Sequence, residues 1–179
     1  MAPKHQITKH SSLIKETENL LNQQIEKEAS SSFLYLSMAS WCEREGYDHS
    51  ADFLYAQTQE EQGHMMRIFR YVNEVGGEAT VPEIGAIKSS YGSLKEIFEE
   101  ALKSEIEVTK SIGKIATHCL NIGDHATLNF LNWFVKEQRE EEKWARKAVS
   151  LFSLLGDEGP FHLFSIDKEI GKLRNKSPN

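Results

Sequence analysis

Four long segments of this sequence carry apolar residues at alternating three- and four-residue spacing, and each stripe is broken near its middle by a glutamate. The first reads Leu21, Ile25, Glu28, Ser32, Tyr35, Ala39, Cys42. The second reads Leu54, Thr58, Glu61, Met65, Ile68, Val72, Val75, with His64 three residues after Glu61. The third reads Leu94, Phe98, Ala101, Glu105, Val108, Ile112, Ile115, Cys119. The fourth reads Leu131, Phe134, Gln138, Glu141, Ala145, Ala148, Phe152, Leu155. Such spacing is the seam of a helix packed into a bundle. Burying the four seams together therefore buries four carboxylates together. An isolated buried carboxylate is costly, and like charges close by raise one another's pKa. Either several of them stay protonated, or a cation sits among them. Two divalent ions match the charge of four carboxylates.

Breakers divide the chain. "REGYDHS" (44–50) carries Gly46, suited to a helix C′ position, followed by Asp48 and Ser50 as candidate N-caps. Residues 75–93 form a long polar connection, and Ser93 with Glu96 makes a candidate capping box. "NIGDHAT" (121–127) is a short turn with Asp124 as candidate N-cap, and "LGDEGP" (155–160) ends the fourth segment. Helices are predicted over 11–45, 49–76, 94–121 and 125–155, with a short one over 161–174. A helix of roughly 30 residues is about 45 Å long. Two short turns and one long central connection predict an all-α, up-down-down-up four-helix bundle. The crossover lets the second and third helices run parallel, and a short fifth helix follows. One domain is expected over 11–174, with a mobile extension at 1–10 and a mobile tail at 175–179.

Composition narrows the function classes. At 179 residues the chain is long enough for a real core. The net charge of −6 argues against a nucleic-acid surface and suits cationic partners. No apolar run approaches the roughly 18 residues of a membrane span. The N-terminus lacks the apolar stretch of a secretory signal. Cys42 and Cys119 alone make no disulfide framework, so a reducing cytoplasm is the expected location.

The ligand types point to a metal. Any one of Glu28, Glu105 and Glu141 alone would be an ordinary flank position, and His64 alone an ordinary surface histidine. Together they place one glutamate on each of four helices and an imidazole one turn from Glu61. Carboxylate-rich ligation with a single imidazole favours iron or manganese over a Cys/His zinc site. Di-iron bundles commonly take one Glu from each of two helices and Glu-x-x-His from each of the other two. Here the second Glu-x-x-His is missing: three residues after Glu141 stands Trp144, and Gln138 lies one turn earlier. One metal position would hold the imidazole and the other mostly carboxylates. The all-oxygen position is expected to be the weaker.

"EKEASSSFLYLSMASWCEREGYDHSADFLYAQTQEEQGHM" and "FLNWFVKEQREEEK" resemble the prokaryotic non-haem ferritins, and the likeness covers nearly all of residues 13–174. This resemblance implies a hollow 24-subunit shell that oxidises Fe(II) with dioxygen or hydrogen peroxide and stores ferric mineral inside. It implies Glu28, Glu61 and His64 as ligands of a first iron position, and Glu61, Glu105 and Glu141 as ligands of a second, with Glu61 bridging. Gln138 and Tyr35 match a glutamine and a tyrosine beside that centre. Glu60, Glu137 and Glu140, with Glu141, match a third iron position. Residues 161–174 match the short helix that lines the four-fold axis of the shell. Haem-binding relatives carry Met where this chain has Gln62 and His where it has Trp144, so no haem is expected.

Two other classes fit the residues less well. A non-storage di-iron or dimanganese oxidase, or a peroxidase-like bundle, needs the metal site but no shell. A DNA-protecting mini-ferritin, or a non-enzymatic bundle, needs a basic grip or no site. The N-terminal extension offers only Lys4 and Lys9 as fixed positive charges, so neither a nucleic acid nor a membrane is an expected partner.

Overall fold

The computed structural model describes residues 11–156 and 159–173. The expected extension at 1–10 and tail at 175–179 lie outside them, as does Arg174. Five helices form: α1 (Lys15–Arg44), α2 (Asp48–Glu74), α3 (Leu94–Ile122), α4 (His125–Leu155) and α5 (Pro160–Gly171). There is no strand among the described residues. The first helix starts at Lys15 rather than at 11, since Ser11 turns its hydroxyl to the Val75 carbonyl at 2.8 Å.

Direction follows from which residues meet. Thr17 bonds His118 at 3.1 Å and Ser31 bonds Ser104 at 3.4 Å, so α1 and α3 run antiparallel. Tyr71 bonds Thr127 at 2.9 Å and Gln57 bonds Glu141 at 2.8 Å, so α2 and α4 do too. The connection 75–93 explains how α2 and α3 come to be parallel. It lies along α1 and is fixed at both ends. Near its start the Glu78 amide donates to Glu18 (3.2 Å) and the Thr80 amide to Asn22 (2.8 Å). Near its finish Ser37 donates to the Lys88 carbonyl (2.6 Å), and Tyr91 sets its ring edge-on to Trp41.

Local chemistry sets the helix ends. Gly46 and Gly123 take φ of +81° and +74°, left-handed values that close α1 and α3. Ser93 Oγ accepts from the Glu96 amide at 3.1 Å, while the Glu96 carboxylate reaches back to the Gly92 amide at 2.6 Å. The box is thus offset by one residue from its usual form. Asp124 accepts from the Thr127 amide at 2.9 Å, as expected of an N-cap. The start of α2 departs from expectation. Its N-cap position is Tyr47, so Asp48 and Ser50 lie within the helix and neither caps it. The carboxylate is supplied instead by Asp167 of α5, which accepts from the amides of Ser50 (2.7 Å) and His49 (3.3 Å).

The seams pack as their spacing demands. Every position named on the four stripes is buried except Met65 and Val75, which are half-buried, and Leu155, which is 40% exposed at the end of α4. The apolar interior is not continuous. One cluster gathers Met38, Leu54, Ile97, Phe98 and Phe152, and a second gathers Leu21, Ile25, Ile68, Ile112 and Phe134. Between them lies a buried polar layer holding the glutamates.

Candidate metal centre

Each helix of the bundle delivers one carboxylate to this layer. Glu28 comes from α1, Glu61 from α2, Glu105 from α3 and Glu141 from α4, and all four are at most 3% exposed. His64 follows Glu61 by nearly one turn, which places both on one face of α2. Glu28, Glu61 and His64 bring one ligand atom each to within 4.8 Å of one another, and so do Glu61, Glu105 and Glu141. Glu61 belongs to both groups.

Hydrogen bonding around these carboxylates is uneven. Neither oxygen of Glu61 has a partner, and Glu28 Oε2 and His64 Nδ1 also have none. His64 Nδ1 stands 3.4 Å from Glu61 Oε2 without bonding it. The other side of the centre is better supplied. Glu105 receives the Tyr35 hydroxyl on Oε1 and the Gln138 amide on Oε2, the latter at 3.1 Å. Glu141 Oε2 receives both the Gln57 amide at 2.8 Å and the Trp144 indole N–H at 2.5 Å. Orphaned buried polar atoms are rare because each carries an unpaid desolvation cost. Here four of them are the atoms that two adjoining cations would take, so the donor set fits metal.

Electrostatics agree with the geometry. Burial, then repulsion from Glu61, holds Glu28 well above the ordinary carboxylate range. Burial and repulsion from Glu105 do the same to Glu61 and Glu141. Burial pushes Glu105 up to about 7, against the opposing hydrogen bonds of Tyr35 and Gln138. Burial and the Glu105 charge raise the Tyr35 hydroxyl, so it stays a donor. Without cations, burial and mutual repulsion favour the protonated form of each of the four glutamates.

The structure separates the residues expected at a third position. Glu137, half-buried, comes within the same 4.8 Å span of His64 and Glu141. Glu60 lines the open α2–α4 cleft of about 800 Å³, whose wall also includes the buried His64 and the half-buried Glu137. Glu140 lies elsewhere. It is exposed, pairs with Lys143 at 2.7 Å, and lines the cleft between α3 and α4. Over His64 sits Trp133, edge-on at 5.5 Å, with the Arg67 guanidinium 4.1 Å above its indole.

Three functional neighbours were not legible as such. Gln24, fully buried, donates to Glu28 Oε1 at 2.8 Å. Gln57 and Trp144 hold Glu141. The available signal was weak: Gln24 and Gln57 each stand one turn before a seam glutamate. Trp144 reads from sequence as a missing ligand rather than as a hydrogen-bond donor.

Comparison with known proteins bears on the same residues. A ferritin-like domain is matched over residues 18–155. A probable bacterial non-heme ferritin-like protein of Haemophilus influenzae is 39% identical over 88% of this chain and 95% of its own length. A bacterial non-heme ferritin of Campylobacter jejuni is 39% identical over 82% of this chain and 88% of its own. Among solved structures, an open pore ferritin of the archaeon Archaeoglobus fulgidus superposes with a TM-score of 0.86 at 35% identity. That match covers 90% of this chain and 98% of that one.

Proposed function

Because the chain belongs to the ferritin family, we propose that it oxidises Fe(II) at the centre described above and stores the ferric product inside a shell of 24 copies. The observation that carries this reading is Glu61. It stands in both ligand groups with both carboxylate oxygens buried and unpartnered. A carboxylate in that state is built to bridge two cations.

Iron is the substrate. Glu28, Glu61 and His64 would hold one Fe(II), and Glu61, Glu105 and Glu141 the other, with Gln138 at the edge. Each Fe(II) gives one electron, and dioxygen or hydrogen peroxide accepts the pair. The protein supplies proximity and charge compensation, while the redox chemistry belongs to the iron. Protons held on the buried glutamates leave as the cations enter. The Tyr35 hydroxyl keeps Glu105 oriented toward the centre. Ferric iron would leave past Glu137 into the cleft lined by Glu60. A third position that included Glu140 would require that side chain to leave Lys143. No described helix is long and apolar enough to cross a membrane, and a cytoplasmic site of action, with no haem, completes the reading.

Glu61→Ala tests it. The variant is expected to fold and assemble, and to lose the rapid phase of aerobic Fe(II) oxidation followed by stopped-flow absorbance. Unchanged oxidation kinetics would sink the assignment. Light scattering tests storage: a small oligomer that takes up no ferric mineral would mark a non-storage oxidase instead.

A further inference from the structure

The four carboxylates of the centre are not held alike, and the difference lies in Glu141. Two donors from different helices converge on one of its oxygens. The Gln57 amide of α2 reaches Oε2 at 2.8 Å, and the Trp144 indole N–H of α4 reaches the same atom at 2.5 Å. A carboxylate oxygen has two lone-pair sites, so Oε2 is fully used by the protein. Glu28 has one donor, on Oε1, and Glu61 has none. Glu105 has one donor on each oxygen and keeps a lone pair free on both. Among the four, only Glu141 has an edge closed.

Trp144 stands three residues after Glu141, as His64 stands three residues after Glu61. The comparison between the two turns is chemical. An imidazole there would give an electron pair to a metal. An indole N–H has none to give and instead draws on the electrons of the carboxylate beside it. Its ring is fixed by Phe53, edge-on at 4.8 Å, and by Tyr35 at 6.2 Å. The N–H therefore has a fixed aim.

We propose that Gln57 and Trp144 are positioning residues that clamp Glu141 by its Oε2 edge, so that Glu141 offers only Oε1 to metal and the second position binds its ion more weakly than the first. Charge-assisted hydrogen bonds are among the stronger ones in a buried site, so a cation does not displace both donors to gain a bidentate carboxylate. The same restraint makes Glu141 a single-tooth ligand contested by two neighbours. It belongs both to the group with Glu61 and Glu105 and to the group with His64 and Glu137. An ion on the second position is thereby set to leave toward Glu137. This inference rests on the two-position reading above.

The test is anaerobic titration of the metal-free assembled protein with Co(II), by calorimetry and visible absorbance, for wild type, Trp144→Phe and Gln57→Leu. Phenylalanine keeps the ring contacts and removes only the N–H. Wild type is expected to bind in two classes, one ion each per chain. Either variant should tighten the weaker class by about tenfold, the effect of one hydrogen bond to a charged group, and leave the tighter class unchanged. Infrared difference spectra should show a carboxylate of the Co(II)-loaded variants moving from one-oxygen toward two-oxygen coordination. Unchanged affinities with an unchanged carboxylate spectrum would overturn the clamp, as would a weaker second class in both variants. Fewer than two ions bound by wild type would instead overturn the two-position reading.

Discussion

Lowering the pH should strip cations from this centre far more steeply than it would from ordinary surface carboxylates. Glu105 titrates near 7, and Glu28, Glu61 and Glu141 are each held well above the ordinary 4.5. At pH 6 a group with a pKa of 7 is about nine-tenths protonated, whereas one at 4.5 is about 3% protonated. Loading divalent ions at pH 6 therefore displaces close to one proton from Glu105, and Glu28, Glu61 and Glu141, raised by burial and mutual repulsion, add to that release. By linkage, the Glu105 proton alone makes apparent affinity fall by close to tenfold, roughly 1.4 kcal/mol, for each pH unit lost below 7, and the other three acids steepen the fall. At pH 8 Glu105 is mostly ionised, and its proton should no longer contribute to the release. The assay is anaerobic Zn(II) binding in weak buffer with a pH indicator, repeated by calorimetry in buffers of different ionisation enthalpy. Release near one-tenth of a proton at pH 6, with affinity flat between about pH 6 and 7, would refute the reasoning. It would mean that the buried acids are already ionised and that their charge is compensated by something other than metal.

Three further outcomes follow from the same structure. The metal-free protein should lose stability as pH rises from about 4.5 to 7, because the unfolded glutamates ionise first; Glu105 alone accounts for about 3 kcal/mol. Denaturant midpoints measured across that range check it, and a midpoint that rises with pH would contradict it. Asp167→Ala removes the acceptor for the Ser50 and His49 amides; it should cost about 1–3 kcal/mol and speed hydrogen exchange in the first turn of α2. Asp124→Ala removes the cap of α4 and its bond to the Thr127 hydroxyl (2.7 Å); a loss of about 1–2 kcal/mol is expected by thermal or chemical denaturation.

Much of the bundle was legible because periodicity is a local signal. The spacing of Leu94, Phe98, Ala101 and Glu105 is enough to orient α3, and all four are buried. The same logic set Glu28, Glu61, Glu105 and Glu141 at matching depth. What stayed hidden depends on partners distant in sequence. Asp48 and Ser50 look like caps because cap residues usually serve their own helix, but a carboxylate from α5 already fills that role. Gln57 is an unremarkable polar residue until α4 is placed beside it, when its amide meets Glu141. Glu140 reads as a neighbour of Glu137 on one charged run. Its side chain instead lies in the cleft toward α3, paired with Lys143, while that of Glu137 lines the α2–α4 cleft.

The polar layer that parts the interior into two apolar clusters has a consequence for how this chain tolerates change. Side chains far apart with no shared partner contribute additively to stability. A substitution among Phe98 and Phe152 at one end, or Ile112 and Ile25 at the other, should leave the opposite cluster largely untouched. Each end of the rod is thus free to drift or be redesigned by itself. Only the thin slice between them must stay as it is, for there one altered side chain is felt on all four helices at once.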